Sequence, residues 1–187
     1  MSDVKPGNRE RIIETANRLF YTKGYNLTSF ADVADELGLS KGNLHYHFHS
    51  KDELLEAIVC LRMQTIEQNL AQWDKEFPDA KDKLRRFVQM MLNETNALVR
   101  YGCPLGSLNM ELGKCQRDLR DKTRVMFDAF QQWLQKAFQQ LGRKDSKVLS
   151  MHLLSMAQGA VVLTYVYEDS HILEEECKNI LTWLETL

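Results

Sequence analysis

Apolar residues recur at Ile12, Ile13, Ala16, Leu19 and Phe20, a spacing that places them on one face of a helix stopping near Gly24. Lys23 falls in its last turn, where the helix dipole favours a cation. A shorter period follows at Phe30, Val33, Ala34 and Leu37, with Thr28 or Ser29 as N-cap. Ser29 and Asp32 make a capping-box-like pair in which Asp replaces the usual Glu. Gly38 suits the left-handed residue that ends a helix before a tight turn. Ser40 then caps a third helix whose inward residues are Leu44 and Phe48, leaving Lys41, Gly42, Asn43, His45, Tyr46 and His47 to face away.

Ser50 caps a much longer helix towards Phe77, apolar at Leu54, Leu55, Ile58, Leu61, Ile66, Leu70 and Trp73. Phe77-Pro78-Asp79 ends it and starts the next, which carries Leu84, Phe87, Val88, Met91, Leu92, Ala97 and Leu98 and breaks at Tyr101-Gly102-Cys103-Pro104. Pro104 suits the first turn of a short helix because its missing donor has no partner there in any case. Further helices are expected over about 116–141, 146–167 and from Ile172 onward. The pattern predicts an all-α fold of about nine helices, with no strand, internal repeat or low-complexity segment. It divides into a three-helix head at 1–51, with a helix-turn-helix at about 29–48, and a larger helical domain at 52–187.

Composition changes this picture in three places. Apolar residues are 44% of 187, enough for a sizeable core, and only three prolines interrupt the helices. The polar, proline-containing start does not read as a signal peptide, and no apolar run approaches the ~20 residues that span a bilayer. No membrane association and a cytoplasmic location are therefore expected. Net charge is −2, and the first 51 residues hold seven Lys and Arg against six Asp and Glu. An argument for nucleic acid therefore rests on where groups point and not on bulk charge. Cys60, Cys103, Cys115 and Cys177 show no CxxC or zinc-like spacing and read as reduced, partly buried thiols, with Cys103 set apart. No metal, cofactor or catalytic residue is indicated.

Two short helices joined by Gly38-Leu39-Ser40 have the layout of a DNA reader, in which one helix braces the backbone and the next enters the major groove. Thr28, Ser29 and Ser40 carry hydroxyls for the backbone, and Lys41 offers charge to a phosphate or a guanine edge. Gly42 removes a side chain that would hold the helix off the groove. Asn43 suits bidentate base reading. Tyr46, His47 and Lys51 are placed for flanking phosphates, and His45 is either a contact or a solvated residue.

The run GYNLTSFADVADELGLSKGNLHYHFHSKDELL resembles the DNA-binding head of the tetracycline-repressor (TetR) family over roughly residues 9–60. The Gly24-Tyr25 step, the S-K-G-N-L core, the Y-H-F triplet and S-K-x-E-L fall in order. The resemblance implies an all-helical homodimer that binds a palindromic double-stranded operator and is usually released by a small-molecule inducer, and it assigns effector binding and dimerisation to the domain at 52–187. By position it assigns DNA contacts to Ser40, Lys41, Gly42, Asn43, Tyr46, His47 and Lys51. His45 departs from the aromatic residue usual there.

The remainder names no inducer. Phe87, Met91, Met110, Phe127, Trp133 and Tyr165 are aromatic and Met side chains fit for an apolar pocket. Cys103, between Gly102 and Pro104 at a helix start, is placed for a lowered thiol pKa and hence for reaction with electrophiles. The helix around 153–165 is apolar on more than one side. With the last helix it forms the expected dimer face through Leu153, Ala157, Ala160, Thr164, Ile180 and Leu184. The competing readings are a thiol-dependent redox enzyme using Cys103 and a helical dimeric adaptor.

Overall fold

The computed structural model describes residues 7–187, apart from the side chain of Cys115. The polar N-terminal tail and the thiol of Cys115 therefore lie outside the described residues. Among the described residues there are ten helices, in the order α1 (Asn8–Thr22), α2 (Phe30–Leu37), α3 (Lys41–His47), α4 (Lys51–Glu76), α5 (Ala80–Asn93), α6 (Thr95–Tyr101), α7 (Pro104–Cys115), α8 (Arg117–Gln140), α9 (Ser146–Tyr167) and α10 (Ser170–Glu185). The all-α reading of about nine helices stands, and the count is ten because the helix expected to continue through Leu98 is divided at Glu94. There Thr95 Oγ1 donates to Leu92 O, drawing that carbonyl into a local turn.

By internal contacts the chain forms two units, one of residues 1–64 with 107–124 and one of 65–106 with 125–187. In the first, Ile12, Ala16, Leu19, Tyr25, Val33, Ala34, Leu44, Phe48, Leu54 and Ile58 are all essentially buried. Local signals set the helix ends as the sequence implies. Ser29 Oγ accepts the Asp32 amide at 3.2 Å, and Asp32 Oδ2 accepts the Ser29 amide at 2.7 Å, completing a capping box. Gly38 has φ 65°, the left-handed conformation that lets the chain turn directly into α3. Ser50 Oγ caps α4 through the Glu53 amide. The 107–124 segment joins this unit through Glu111, whose carboxylate accepts the Asn26 amide at 3.0 Å, and through an ion pair of Lys122 with Glu56.

In the second unit α10 packs on α9 and α5, and α6 packs on α9. Here one expectation is corrected. Leu153, Ala157, Ala160, Thr164, Ile180 and Leu184, expected to face a second copy, are each at most 3% exposed within the single chain. They form the seam that α9 and α10 use for the core of their own unit. Val148, Met151, Val162, Leu163, Val166 and Tyr167 are apolar side chains of α9 left exposed. A helix apolar all round has two usable faces, and periodicity does not say which one turns inward. α9 is also long and apolar enough to cross a bilayer by length and composition, although no single run is unbroken, and 44% of that stretch is buried.

Candidate nucleic-acid interface

Leu44 and Phe48 anchor α3 in the core at 0% exposure, and this fixes which residues the helix presents. Lys41, Gly42, His45 and Tyr46 are exposed, Tyr46 to 80%, while Asn43 and His47 are half-buried. Ser40 Oγ accepts the Asn43 amide at 3.2 Å, so its own hydroxyl proton stays available to a phosphate oxygen. A Cβ at Gly42 would meet nothing nearer than Ser40 Oγ at 3.9 Å. The fold itself therefore places no demand for glycine there. Tyr46 and His47 are edge to face, 5.1 Å between ring centroids, and His45 leans on Phe30 of α2 at the same distance.

Three of the expected contact residues are committed inside the protein. Thr28 is 1% exposed, with its hydroxyl 2.8 Å from Gly24 O and 3.4 Å from Leu19 O. The expectation that it donates to the DNA backbone is therefore corrected: this hydroxyl holds the 24–28 loop on the end of α1. Lys51 Nζ donates to Tyr25 O at 3.0 Å and Thr28 O at 3.2 Å, and lies 4.2 Å from the Tyr25 ring centroid. Burial draws its pKa below the usual lysine value, against the opposing pull of Asp52 and Glu111. Asn43 Oδ1 is buried with no hydrogen-bond partner. Reading an adenine edge with both amide atoms needs this group to swing outward. Ser29 is exposed, and its hydroxyl donates to Asp32 Oδ2 at 2.5 Å.

Beneath the loop, Tyr25 is fully buried and its hydroxyl donates to Asp52 Oδ1 at 2.5 Å. Burial, and then the Asp52 carboxylate, push its pKa well above the ordinary tyrosine value, so it stays a neutral donor. The aromatic step at 24–25 is thus a structural pin beneath the reading head.

The expected sensing residues differ in burial. Phe87 and Met91 are buried on α5, with Phe87 edge-on to Phe130 at 5.8 Å. Phe127 is half-buried on α8. Met110 and Tyr165 are 66% and 49% exposed, which corrects their assignment to a pocket lining. Trp133 alone of the seven lines a cavity of about 250 Å³, together with Asp74, Lys83, Lys136, Ala137 and Gln140. Sequence reasoning passes over that polar set, yet Lys83 carries a signal. It falls on the stripe of Ala80, Leu84, Phe87 and Met91, where a charge is out of place. Cys103 is half-buried ahead of Pro104, and its Sγ accepts the Gly106 amide at 3.3 Å. Cys60 is exposed, whereas Cys177 is buried, which pushes its thiol pKa up to about 11, with a smaller push from Glu176.

Two family models match the chain: bacterial regulatory proteins of the tetR family over residues 12–58, and the C-terminal domain of LmrA/YxaF-like transcriptional regulators over residues 80–178. A helix-turn-helix-type regulator from the lacX 3′ region of Lactococcus lactis is 26% identical, covering 95% of this chain and 93% of that protein. The regulator LmrA of Bacillus subtilis is 26% identical over 87% of this chain and 89% of its own length. A TetR transcriptional regulator from Legionella pneumophila superposes with a TM-score of 0.85 at 24% identity, over 95% of this chain and 97% of that one.

Proposed function

We propose, for a chain that belongs to the tetracycline-repressor family of DNA-binding transcriptional regulators and is not an enzyme, that it acts as a homodimeric repressor freed from a palindromic operator by a small-molecule or electrophilic inducer. The observation that carries this reading is the outward face of α3. Lys41, Gly42, His45 and Tyr46 stand exposed over a fully buried Leu44 and Phe48, with open space at a glycine that the fold does not require. In the interface so proposed, Ser40, Lys41, Tyr46 and His47 hold phosphates, Ser29 joins them once its hydroxyl turns away from Asp32, and Gly42 permits close approach. Asn43 reads a base once its amide turns outward, and Lys51 acts by fixing the loop at residues 25–28. By function the proposed division is a head at 1–51 and an effector and dimerisation domain at 52–187, working in the cytoplasm, although the compact unit that holds the head also takes in residues 52–64 and 107–124.

Two heads on successive major grooves must lie about 34–36 Å apart or a multiple of that. The exposed stripe of α9, at Val148, Met151, Val162 and Val166, supports a second copy as the partner that sets this distance. Gly159 lies on the same exposed side, and a Cβ added there would meet nothing within 4 Å, leaving room for a close helix approach. An inducer favouring another spacing shifts the population off the operator. Cys103 is the candidate for the electrophile-sensing role.

The test is selection of bound fragments from the source genome with the purified protein, followed by gel shifts on the enriched site. Lys41→Ala and Tyr46→Ala are both expected to weaken all DNA, and Lys41→Ala alone to lower the salt slope by about one. No enrichment over random DNA would overturn the repressor reading. Unchanged release by electrophiles in Cys103→Ser would remove the thiol from it.

A further inference from the structure

The loop between α1 and α2 is held by charged side chains from two other helices of the first unit. Lys51 of α4 donates to Tyr25 O at 3.0 Å and to Thr28 O at 3.2 Å. Glu111 of α7 works with the opposite polarity, its Oε2 accepting the Asn26 amide at 3.0 Å. The same carboxylate packs on the bare face of Gly24, where a Cβ would stand 2.6 Å from Oε1 and 3.4 Å from Oε2. Gly24 has φ 93°, so the turn and the close carboxylate both require glycine there. The Gln116 side chain, at the break between α7 and α8, hydrogen-bonds the Tyr25 hydroxyl that also reaches Asp52.

Glu111 is half-buried on a firm mount. Leu108 and Leu112, on either side of it along α7, are 4% and 1% exposed, and the hydroxyl of the buried Thr123 lies 2.9 Å from Asn109 Oδ1. The loop it grips runs into Ser29, the N-cap of α2, so the placing of residues 24–28 sets where α2 starts. A carboxylate in a head that meets DNA also repels phosphate, so its charge alone works against binding.

We propose that Glu111 is a positioning residue for DNA binding, whose carboxylate accepts the Asn26 amide and so holds the 24–28 loop, and with it the start of α2, where the operator needs them. It touches no DNA. It acts by keeping the binding-competent loop populated, since apparent affinity scales with that fraction. Nothing in the helix-turn-helix pattern marks this residue, which lies 85 positions along the chain from Asn26.

Two substitutions separate the hydrogen bond from the charge. Glu111→Gln removes the charge and keeps an oxygen able to accept the Asn26 amide. Glu111→Ala removes both, and alanine is the strongest helix former, so helix propensity does not count against it. Without DNA, amide exchange followed by NMR on the full chain should quicken at residues 24–29 in Glu111→Ala and stay near wild type in Glu111→Gln. Fluorescence anisotropy on the selected operator duplex at fixed ionic strength should show Glu111→Ala about threefold or more weaker than Glu111→Gln. Glu111→Gln should bind at least as tightly as wild type. An acid acting by charge alone gives the opposite result, with both variants tighter than wild type and equal to each other. That result overturns the proposal, as does unchanged loop exchange in Glu111→Ala or quickened exchange spread evenly over α1 to α4. The binding measurement rests on the operator reading above, and the exchange measurement does not. A wild-type protein that enriches no operator loses the repressor reading, and loop exchange then decides by itself whether Glu111 holds the loop.

Discussion

At Gly42 the fold leaves room for a methyl group, and a helix interior favours alanine over glycine by roughly 0.5–1 kcal/mol. Gly42→Ala is therefore expected to raise the melting temperature while weakening operator binding, because the added carbon stands on the face that meets the groove. A gel shift and a thermal melt on the same preparation read the two effects in opposite directions. The thiols give a second comparison at this scale. Cys60 is exposed, Cys103 is half-buried with its sulfur bonded to an amide, and the buried Cys177 thiol is held protonated by a pKa of about 11. Maleimide labelling at neutral pH should modify Cys60 in the native protein and leave Cys177 untouched until denaturant unfolds the second unit. Early modification of Cys177, read by mass spectrometry, would contradict the burial described.

Helix ends carry the next level. The capping box of α2 joins Ser29 and Asp32, and hydrogen bonds from the Ser29 side chain and backbone hold the Asp32 carboxyl below its ordinary pKa. A folded pKa below the unfolded one means that this contribution is complete above the usual carboxylate range, about pH 4, and is lost as pH falls through the folded value. Wild type should therefore exceed Asp32→Ala in stability at neutral pH, and the gap should close on acidification. Ser29→Ala, which removes the cap itself, should cost about 1 kcal/mol in denaturant unfolding. The sequence carries this element nearly whole: cap, stripe and terminating glycine all lie within ten residues, and each works through bonds to its neighbours. It is less informative at Glu94, where helix periodicity runs on and only the local Thr95 turn divides α5 from α6.

For the whole molecule, the proposed dimer makes the two faces of α9 separate stability from assembly. Val162→Glu with Val166→Glu alters the exposed stripe and should leave the helical circular dichroism intact. Sedimentation should shift from two chains to one, and operator affinity should fall because the paired heads lose their fixed spacing. Ala157→Leu alters the buried seam with α10 and should destabilise each chain by about 1–3 kcal/mol through overpacking. Monomers in the first variant with full operator affinity would sever dimerisation from DNA reading.

What the sequence determined by itself is the helical class, the helix-turn-helix and the outward placing of Lys41, Gly42, His45 and Tyr46 on its second helix. These follow from interactions between residues three or four apart and from caps that bond to their own helix. Tertiary structure alone decided that Thr28 and Lys51 are occupied by the loop at 24–28, that Asn43 keeps an amide oxygen inward, and that α9 turns Leu153 and Thr164 to its own core. It also decided that Trp133, Lys83 and Lys136 share a cavity while Met110 and Tyr165 stand in solvent. Each of these depends on which distant segment packs against a given face, and no period along a single helix records that choice.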